Sequence, residues 1–566
     1  MTSRSSRLKV DTPLSGGSGR FSGHILGLKA GVWFAGLLVA APLLSLVLIA
    51  MTGNPSVLGY TLLVTLPMTA RDTLGLLVGV TVVATILGLS TAWIVSLFDF
   101  PGRRILSVAL AMPLAVPTYL VAYVYVALLD AINPGFSLSA HWFGAEWFPT
   151  GLASFARSLP GAALIMGFVL FPYIYLPVQS AITRQGANLK DAARLLGATP
   201  YRVFTTIILP LSRPAFALGL TLVLLETLND IGASDYLGVQ TFTVSIYTTW
   251  LNRGSLPGAA QLAMGLMSFI GILLFLEHRA RGDRRFAYQR QTRPVSRRQL
   301  RGWGAIGAVT ICLIPVTIGF LLPISFLIIQ SVKRFEQALS ADVLAGQLAS
   351  TLAFSGIATA SVVILSLIVL VTLRFFGSFD ISLAGKLATF GYAVPGTVLA
   401  IGLLGPLAGF DNMIANLFRE LTHQRIGLLL MGSGAALVIA YTIRFMTIGI
   451  GALGAGYAKA PKSLDDAARV LGRSPGAVFS EIHWPLLKPA IAIASLLVFI
   501  DAIKELPATL LLRPLNIETL ATYVYSEASR GTFENGAVSA LFIVLAGTVP
   551  AIISVRLFDQ RPIKGF

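Results

Sequence analysis

Leu189-Lys-Asp-Ala-Ala-Arg-Leu-Leu-Gly-Ala-Thr-Pro200 returns 275 residues later as Leu464-Asp-Asp-Ala-Ala-Arg-Val-Leu-Gly-Arg-Ser-Pro475. Between 188–215 and 463–490, 15 of 28 positions are identical. Pro210 and Pro214 in the first copy are matched by Pro485 and Pro489 in the second. A self-match of this length outranks any local motif, because it states that the fold itself is repeated.

Apolar runs surround each copy. They lie near 30–51, 73–97, 105–129, 160–182, 214–234 and 259–276, then near 303–330, 352–373, 387–407, 426–448, 489–510 and 537–557. Each run approaches the roughly 20 residues that cross a hydrocarbon core. Each copy of the repeat falls between the fourth and fifth runs of its set. Six spans separate equivalent points, so both copies face the same side of the membrane. Repeats of that kind relate by an axis along the membrane normal. The sequence therefore predicts an all-α polytopic membrane protein with about 12 transmembrane helices. Its two homologous six-helix halves would be related by a pseudo-twofold along the membrane normal.

Composition agrees. Of 566 residues 55% are hydrophobic and 12% charged, with mean hydropathy +0.79. That is half the charge of a soluble chain. Unbroken apolar runs exclude an outer-membrane barrel, whose strands alternate. The net charge of +17 would suggest nucleic acid for a soluble protein. Here it follows alternate loops. The basic residues gather in the N-terminal tail, at Arg103 and Arg104, in 184–213, in 279–301, at Arg374 and Lys386, from Arg444 to Lys488, and in 556–564. The positive-inside rule puts all of these, and both termini, in the cytoplasm. The first 28 residues read as a disordered tail. The nine arginines from Arg279 to Arg301, with Asp283 alone among them, read as a linker between fused halves, with an anionic-lipid site as the alternative.

Soluble-enzyme chemistry is missing. Cys312 is the single cysteine, the five histidines are scattered, and no phosphate-cradling GxxxxGK[ST] loop is present. No catalytic residue, metal ligand or cofactor is assigned to this chain. Any ATP would be hydrolysed by another polypeptide.

Local chemistry gives the repeated loop a shape. Asp191 and Asp466 would place a carboxylate in the first turn of a short helix containing Ala192–Ala193 or Ala467–Ala468. Gly197 and Gly472 would close that helix in the left-handed region. Thr199 and Ser474 would cap a second helix whose first residue is proline, and Pro210 and Pro485 would stop it at the membrane surface. A compact docking element repeated at equivalent loops is the result.

At these residues the chain resembles the inner-membrane permeases of type I binding-protein-dependent ABC importers. Their hallmark is an acid-Ala-Ala, three residues, Gly, and a later Ile-x-Leu-Pro. The second copy departs late, reading Ile482-His483-Trp484-Pro485. The segments Ala111–Tyr125, Asn229–Gly238 and Lys504–Pro514 are similar to the ferric-iron permeases of that family. The resemblance implies a separate ATP-binding cassette subunit, present in two copies and carrying ATP-Mg, which receives the docking loops. It also implies a periplasmic substrate-binding protein and a place in the bacterial inner membrane, among its lipids. The chain then divides into a tail and first span (1–72), a first transmembrane domain (73–277), a basic linker (278–302), a seventh span with an external loop (303–346) and a second transmembrane domain (347–558). Thiamine or a polyamine remains an alternative cargo, and a proton-coupled secondary transporter an alternative machine.

At the same 275 offset, Glu226-Thr-Leu-Asn-Asp230 aligns with Asp501-Ala-Ile-Lys-Glu505, each in the fifth span of its half. Charges inside a span are costly and need a partner or a wet path. Glu226, Asn229, Asp230, Asp501, Lys504, Glu505 and Pro507 are therefore candidates for the translocation pathway, and headgroup-level residues are the plainer alternative. Lys504 and Glu505 would find partners on other spans. Pro113, Pro117, Pro395 and Pro507 are expected inside spans, against a cavity. Gly75–Gly79 and Tyr119, Tyr123 and Tyr125 read as packing. No carboxylate cluster stands out in the sequence.

Overall fold

The computed structural model describes residues 18–143, 152–195, 209–281, 297–334 and 342–559, with isolated positions 197, 199, 202 and 206. Residues 18–28, expected to belong to a disordered tail, form the first turns of a helix, while the residues before 18 and the arginine-rich stretch 282–296 lie outside the described residues.

Leu-, Val- and Ala-rich runs become helices throughout. In the first half these are α1 (Ser18–Met51), α2 (Leu66–Leu97), α3 (Thr118–Phe143), α4 (Leu159–Leu170), α5 (Pro172–Leu195), α6 (Leu209–Asn229), α7 (Gly232–Tyr236), α8 (Phe242–Leu251) and α9 (Leu256–Arg281). In the second they are α10 (Trp303–Val316), α11 (Leu322–Lys333), α12 (Asp342–Phe376), α13 (Gly396–Thr422), α14 (Ala435–Tyr457), α15 (Lys462–Val470), α16 (Pro475–Val478), α17 (Trp484–Ile503), α18 (Pro507–Leu512), α19 (Leu520–Ser529) and α20 (Ala537–Asp559).

Among the described residues eight helices are long and apolar enough to cross a membrane, or ten if two bent pairs each count as one span. The pairs bend by 92° between Arg103–Ala115 and Thr118–Ala131 and by 40° between Leu159–Leu170 and Pro172–Thr183. The fifth and twelfth expected spans correspond to α6 and α20. In α6, Arg213, Glu226 and Asn229 dilute the apolar character.

The prolines expected inside spans sit at breaks instead. Pro113 lies in a short 3-10 turn, Pro117 just before α3, Pro395 at the N-cap of α13, and Pro507 at the first position of α18. A residue without an N–H costs nothing where the first turn leaves that donor unpaired. These four prolines therefore stand at or before helix starts, whereas Pro406 lies inside α13.

The halves repeat one another in detail. The Thr73 hydroxyl accepts from the Phe242 amide at 3.2 Å, and Thr351 accepts from Leu520 at 2.9 Å. Both pairs of equivalents are 278 positions apart. The first span of each half, however, packs on the other half. α1 lies along α12 and α13, so close that a Cβ on Gly402 would stand 2.4 Å from the Pro42 carbonyl oxygen. The turn joining α10 to α11 lies on the first half, where Tyr125 donates to the Ile318 carbonyl at 2.7 Å. The two large apolar cores consequently each contain residues of both halves. A two-residue parallel bridge, Phe98–Asp99 with Arg298–Gln299, ties the end of the linker to the end of α2.

Candidate translocation cavity and docking loops

α6 stops at Asn229 and α17 at Ile503, each followed by a break and a short helix. The carboxylates at the breaks cap those helices. Asp230 accepts from the amides of Ala233 at 2.8 Å and Ser234 at 3.1 Å, and from the Thr118 hydroxyl. Glu505 accepts from Ala508 at 3.0 Å, from the Thr509 amide at 3.1 Å and from its hydroxyl at 2.7 Å. Backbone donors at a helix start are a favourable setting for buried anionic groups.

Around these caps the seven pathway candidates Glu226, Asn229, Asp230, Asp501, Lys504, Glu505 and Pro507 converge on one cavity of about 100 Å³ between the halves. Cross-half contacts frame it. Tyr392 donates to Glu226 at 2.8 Å. The Asn229 side-chain oxygen accepts from the Gly396 amide and from Arg444, both at 2.9 Å. Arg444 is also 3.4 Å from Glu505. Lys504 pairs with Asp501 at 2.8 Å on its own turn, not with another span as its sequence position suggested. Residues three apart are neighbours on one face of a helix.

Four carboxylates thus face two cationic groups. The Arg444 Nε and the Tyr119 hydroxyl are buried without a protein partner, so two residues of the cavity lining keep an unused donor. No group of three or more His, Cys, Asp or Glu suited to holding a metal occurs among the described residues. Arg444, which its position in the sequence groups with the loop charges up to Lys488, belongs to this cavity instead. The structure buries it within α14. An arginine in so apolar a run was the available signal.

The docking loops differ from their expected form at several points. Asp191, Ala192 and Ala193 lie near the end of the long α5, not in a first turn, and their side chains lie outside the described residues. Gly197 follows with φ +78°, and Thr199 accepts from the Arg202 amide at 3.3 Å. In the second loop α15 is a separate helix. Its first-turn acid is Asp465, whereas Asp466 and Ala467 are exposed and Ala468 is buried. Gly472 has φ +74°, and Ser474 caps α16 by accepting from Ala477 at 3.3 Å. Pro210 and Pro485 stop nothing. Each is the second residue of the long helix that follows, α6 or α17, where no N–H is required.

Asp465 turns inward. Arg374, from the end of α12, donates to it at 2.7 Å, and His483 approaches its other oxygen at 2.8 Å. His483 is fully buried, stacked on Phe375 and edge-on to Tyr457 with centroids 5.2 Å away in each case. Burial pushes the Asp465 carboxyl up, but Arg374 and His483 outweigh it and hold the group below the usual carboxylate range. The late departure of the second copy is thus a buried partner for Asp465. The first copy has Lys190 and Ile208 at these places and cannot build it. On the outer side of α15, Val470 and Leu471 are 88% and 80% exposed, an apolar edge on a polar helix.

Comparison with known proteins gives this geometry a context. Residues 84–285 match the family described as binding-protein-dependent transport system inner membrane component. The chain is 25% identical over 494 residues to an Fe(3+)-transport system permease protein of Haemophilus influenzae, covering 85% of this chain and 88% of that one. It is 32% identical over 185 residues to the molybdenum transport system permease protein of Escherichia coli, covering 31% of this chain and 76% of that one. A sulfate transport system permease protein of Escherichia coli is 28% identical over 196 residues, covering 34% and 67% respectively.

Proposed function

The chain belongs to the inner-membrane components of binding-protein-dependent transport systems, as a fused two-half permease, and on that premise we propose that it moves ferric iron into the cytoplasm. A periplasmic binding protein delivers the ion. A separate ATPase, two copies holding ATP-Mg, docks on the two loops and drives the cycle. The permease itself catalyses no reaction. It sits in the bacterial inner membrane with both termini on the cytoplasmic side.

The observation that carries the cargo is the charge of the cavity. Four carboxylates against Arg444 and Lys504 favour a cation and disfavour an oxyanion such as sulfate or molybdate. Carboxylate and amide oxygens also suit a hard cation. Transient contact is enough, since a route must release what it binds. Glu226, Asn229, Asp230, Asp501, Lys504 and Glu505 line the route in this reading, and Pro507 fixes the break that presents Glu505. Thiamine and polyamines are cations too, and for iron over these the similarity to the Haemophilus permease along most of both chains is the support. A proton-coupled carrier would leave both docking loops without a task.

The test is uptake of radiolabelled ferric iron into proteoliposomes holding the permease and its ATPase, with loaded binding protein outside. ATP-dependent iron uptake, indifferent to a collapsed proton gradient, is the expected result. Import of thiamine or a polyamine with iron ignored would replace the cargo and leave the machine.

A further inference from the structure

A second cavity, of about 290 Å³, opens at the end of the bundle opposite the docking loops. It is lined by Thr61, Thr65, Thr249, Ser255 and Arg253, and among the described residues no acidic one faces it. Thr61 and Thr65 bound a single π-turn leading into α2, a distortion frequent at functional sites.

The hydroxyls here are left free of the helix backbone. Several helical threonines of this protein donate to the carbonyl four residues back, as Thr221, Thr359 and Thr442 do at 2.6–2.9 Å. Thr61, Thr65 and Thr249 make no such bond among the described residues, although Thr61 and Thr249 are only 5% and 7% exposed. All three line the one cavity, beside the Arg253 guanidinium.

The second half shows what is missing. There Arg530 precedes a left-handed glycine, Gly531, and pairs with Glu527 at 3.1 Å. In the first half Arg253 likewise precedes a left-handed glycine, Gly254. Counted from the starts of α8 and α19, Thr249 stands where Glu527 stands. The acid has been exchanged for a hydroxyl, and Arg253 has no ion-pair partner among the described residues. One cation, several hydroxyl donors and no acid form a receptor for a phosphate group. Leu62 and Leu63, 48% and 80% exposed, continue from it as an apolar strip.

We propose that this cavity holds the phosphate of a phospholipid headgroup, with the acyl chain along Leu62 and Leu63. By the proposed orientation the lipid belongs to the outer leaflet.

The test uses the full-length permease in nanodiscs of equal parts phosphatidylethanolamine and phosphatidylglycerol, followed by detergent washing and native mass spectrometry. Arg253→Gln and Thr249→Glu should each weaken retention of the last bound phosphatidylglycerol about fivefold, the weight of one basic side chain near an anionic lipid. Arg530→Gln, whose arginine is already paired, should not. Arg253→Lys should keep most of the retention, and unfolding midpoints near wild type would show both the Gln and Glu variants to be folded. Inorganic phosphate should not displace the lipid. Unchanged retention in Arg253→Gln and Thr249→Glu overturns the proposal. So does occupancy by inorganic phosphate without lipid, which would make this a free-anion site. Loss of binding-protein capture in Arg253→Gln, with lipid retention intact, would make Arg253 a protein contact and overturn it as well.

Discussion

Gly396 and Thr118 occupy the same place in the two halves, each directly after a Val-Pro pair. The hydroxyl of Thr118 donates to Asp230. At Gly396 there is no side chain, and the space is taken by Arg444 reaching Asn229 and Glu505. A Cβ there would stand 2.5 Å from the Arg444 guanidinium and 2.7 Å from the Glu505 carboxylate. At the 275 offset Arg444 and Phe445 match Val169 and Leu170, and all four line the cavity. One half thus supplies a cation where the other supplies a valine. Gly396→Ala should therefore displace Arg444 and depress uptake sharply while leaving ATPase capture intact. Transport and pull-down assays on the same membranes measure both. Arg444→Gln should cost about 3 kcal/mol of stability, because it strands a buried carboxylate. Adding Glu505→Gln should recover part of that loss. Thermal unfolding of the two single variants and the double closes the cycle, and strictly additive losses would deny the pairing. The acids of this cavity were legible in the sequence because the repeat set Glu226–Asp230 against Asp501–Glu505. Arg444 breaks the repeat, so no counterpart in the other half marks it.

Helix identity was equally legible, and helix breaks less so. Apolar runs fix where a span lies, but a run such as 489–510 does not say that α17 ends at Ile503 and a new helix begins at Pro507. The break depends on Glu505 accepting the amides of Ala508 and Thr509, a tertiary arrangement around Arg444. The repeated loops divide in the same way. Their glycines and hydroxyl caps follow from local chemistry alone, whereas the inward turn of Asp465 needs Arg374 from another helix. Asp465→Asn should free α15 from α12, raising hydrogen exchange across 462–470 by about 2 kcal/mol of local opening energy, the worth of a charge-assisted hydrogen bond. ATPase capture should fall with it, while Lys190→Asn in the first loop should change neither. The sign of the pH dependence is fixed by the depressed Asp465 carboxyl. Its stabilisation is fully present above the unfolded carboxylate pKa of about 3.9, and is lost as pH falls through the lower folded value. Exchange across 462–470 should therefore be flat from pH 7 to 5, apart from intrinsic chemistry. A steep rise across that interval would assign control to another group.

At the scale of the whole molecule, the exchange of first spans decides how the halves hold together. α1 supplies apolar surface to the core that contains α12, α13 and α14, and the α10–α11 pair supplies it to the core around α3 and α4. Neither set of six spans encloses its own core, which the sequence did not disclose because an apolar run is silent about its neighbours. Within a bilayer association rests on close backbone approach more than on hydrophobicity, and the Pro42–Gly402 contact provides it. The linker need not hold the halves together covalently. A permease expressed as two chains, 1–290 and 291–566, should assemble and co-purify through a tag on either piece. Removing residues 1–53 from the first piece should abolish that capture, because the second half then exposes the face that α1 covers. Removing the tail alone, residues 1–17, should not. If the pieces still co-purify without α1, the interface resides in the cavity contacts of Asn229, Glu226 and Arg444. The double variant Asn229→Ala with Arg444→Gln would then separate them, and the exchanged spans would be packing without consequence for assembly.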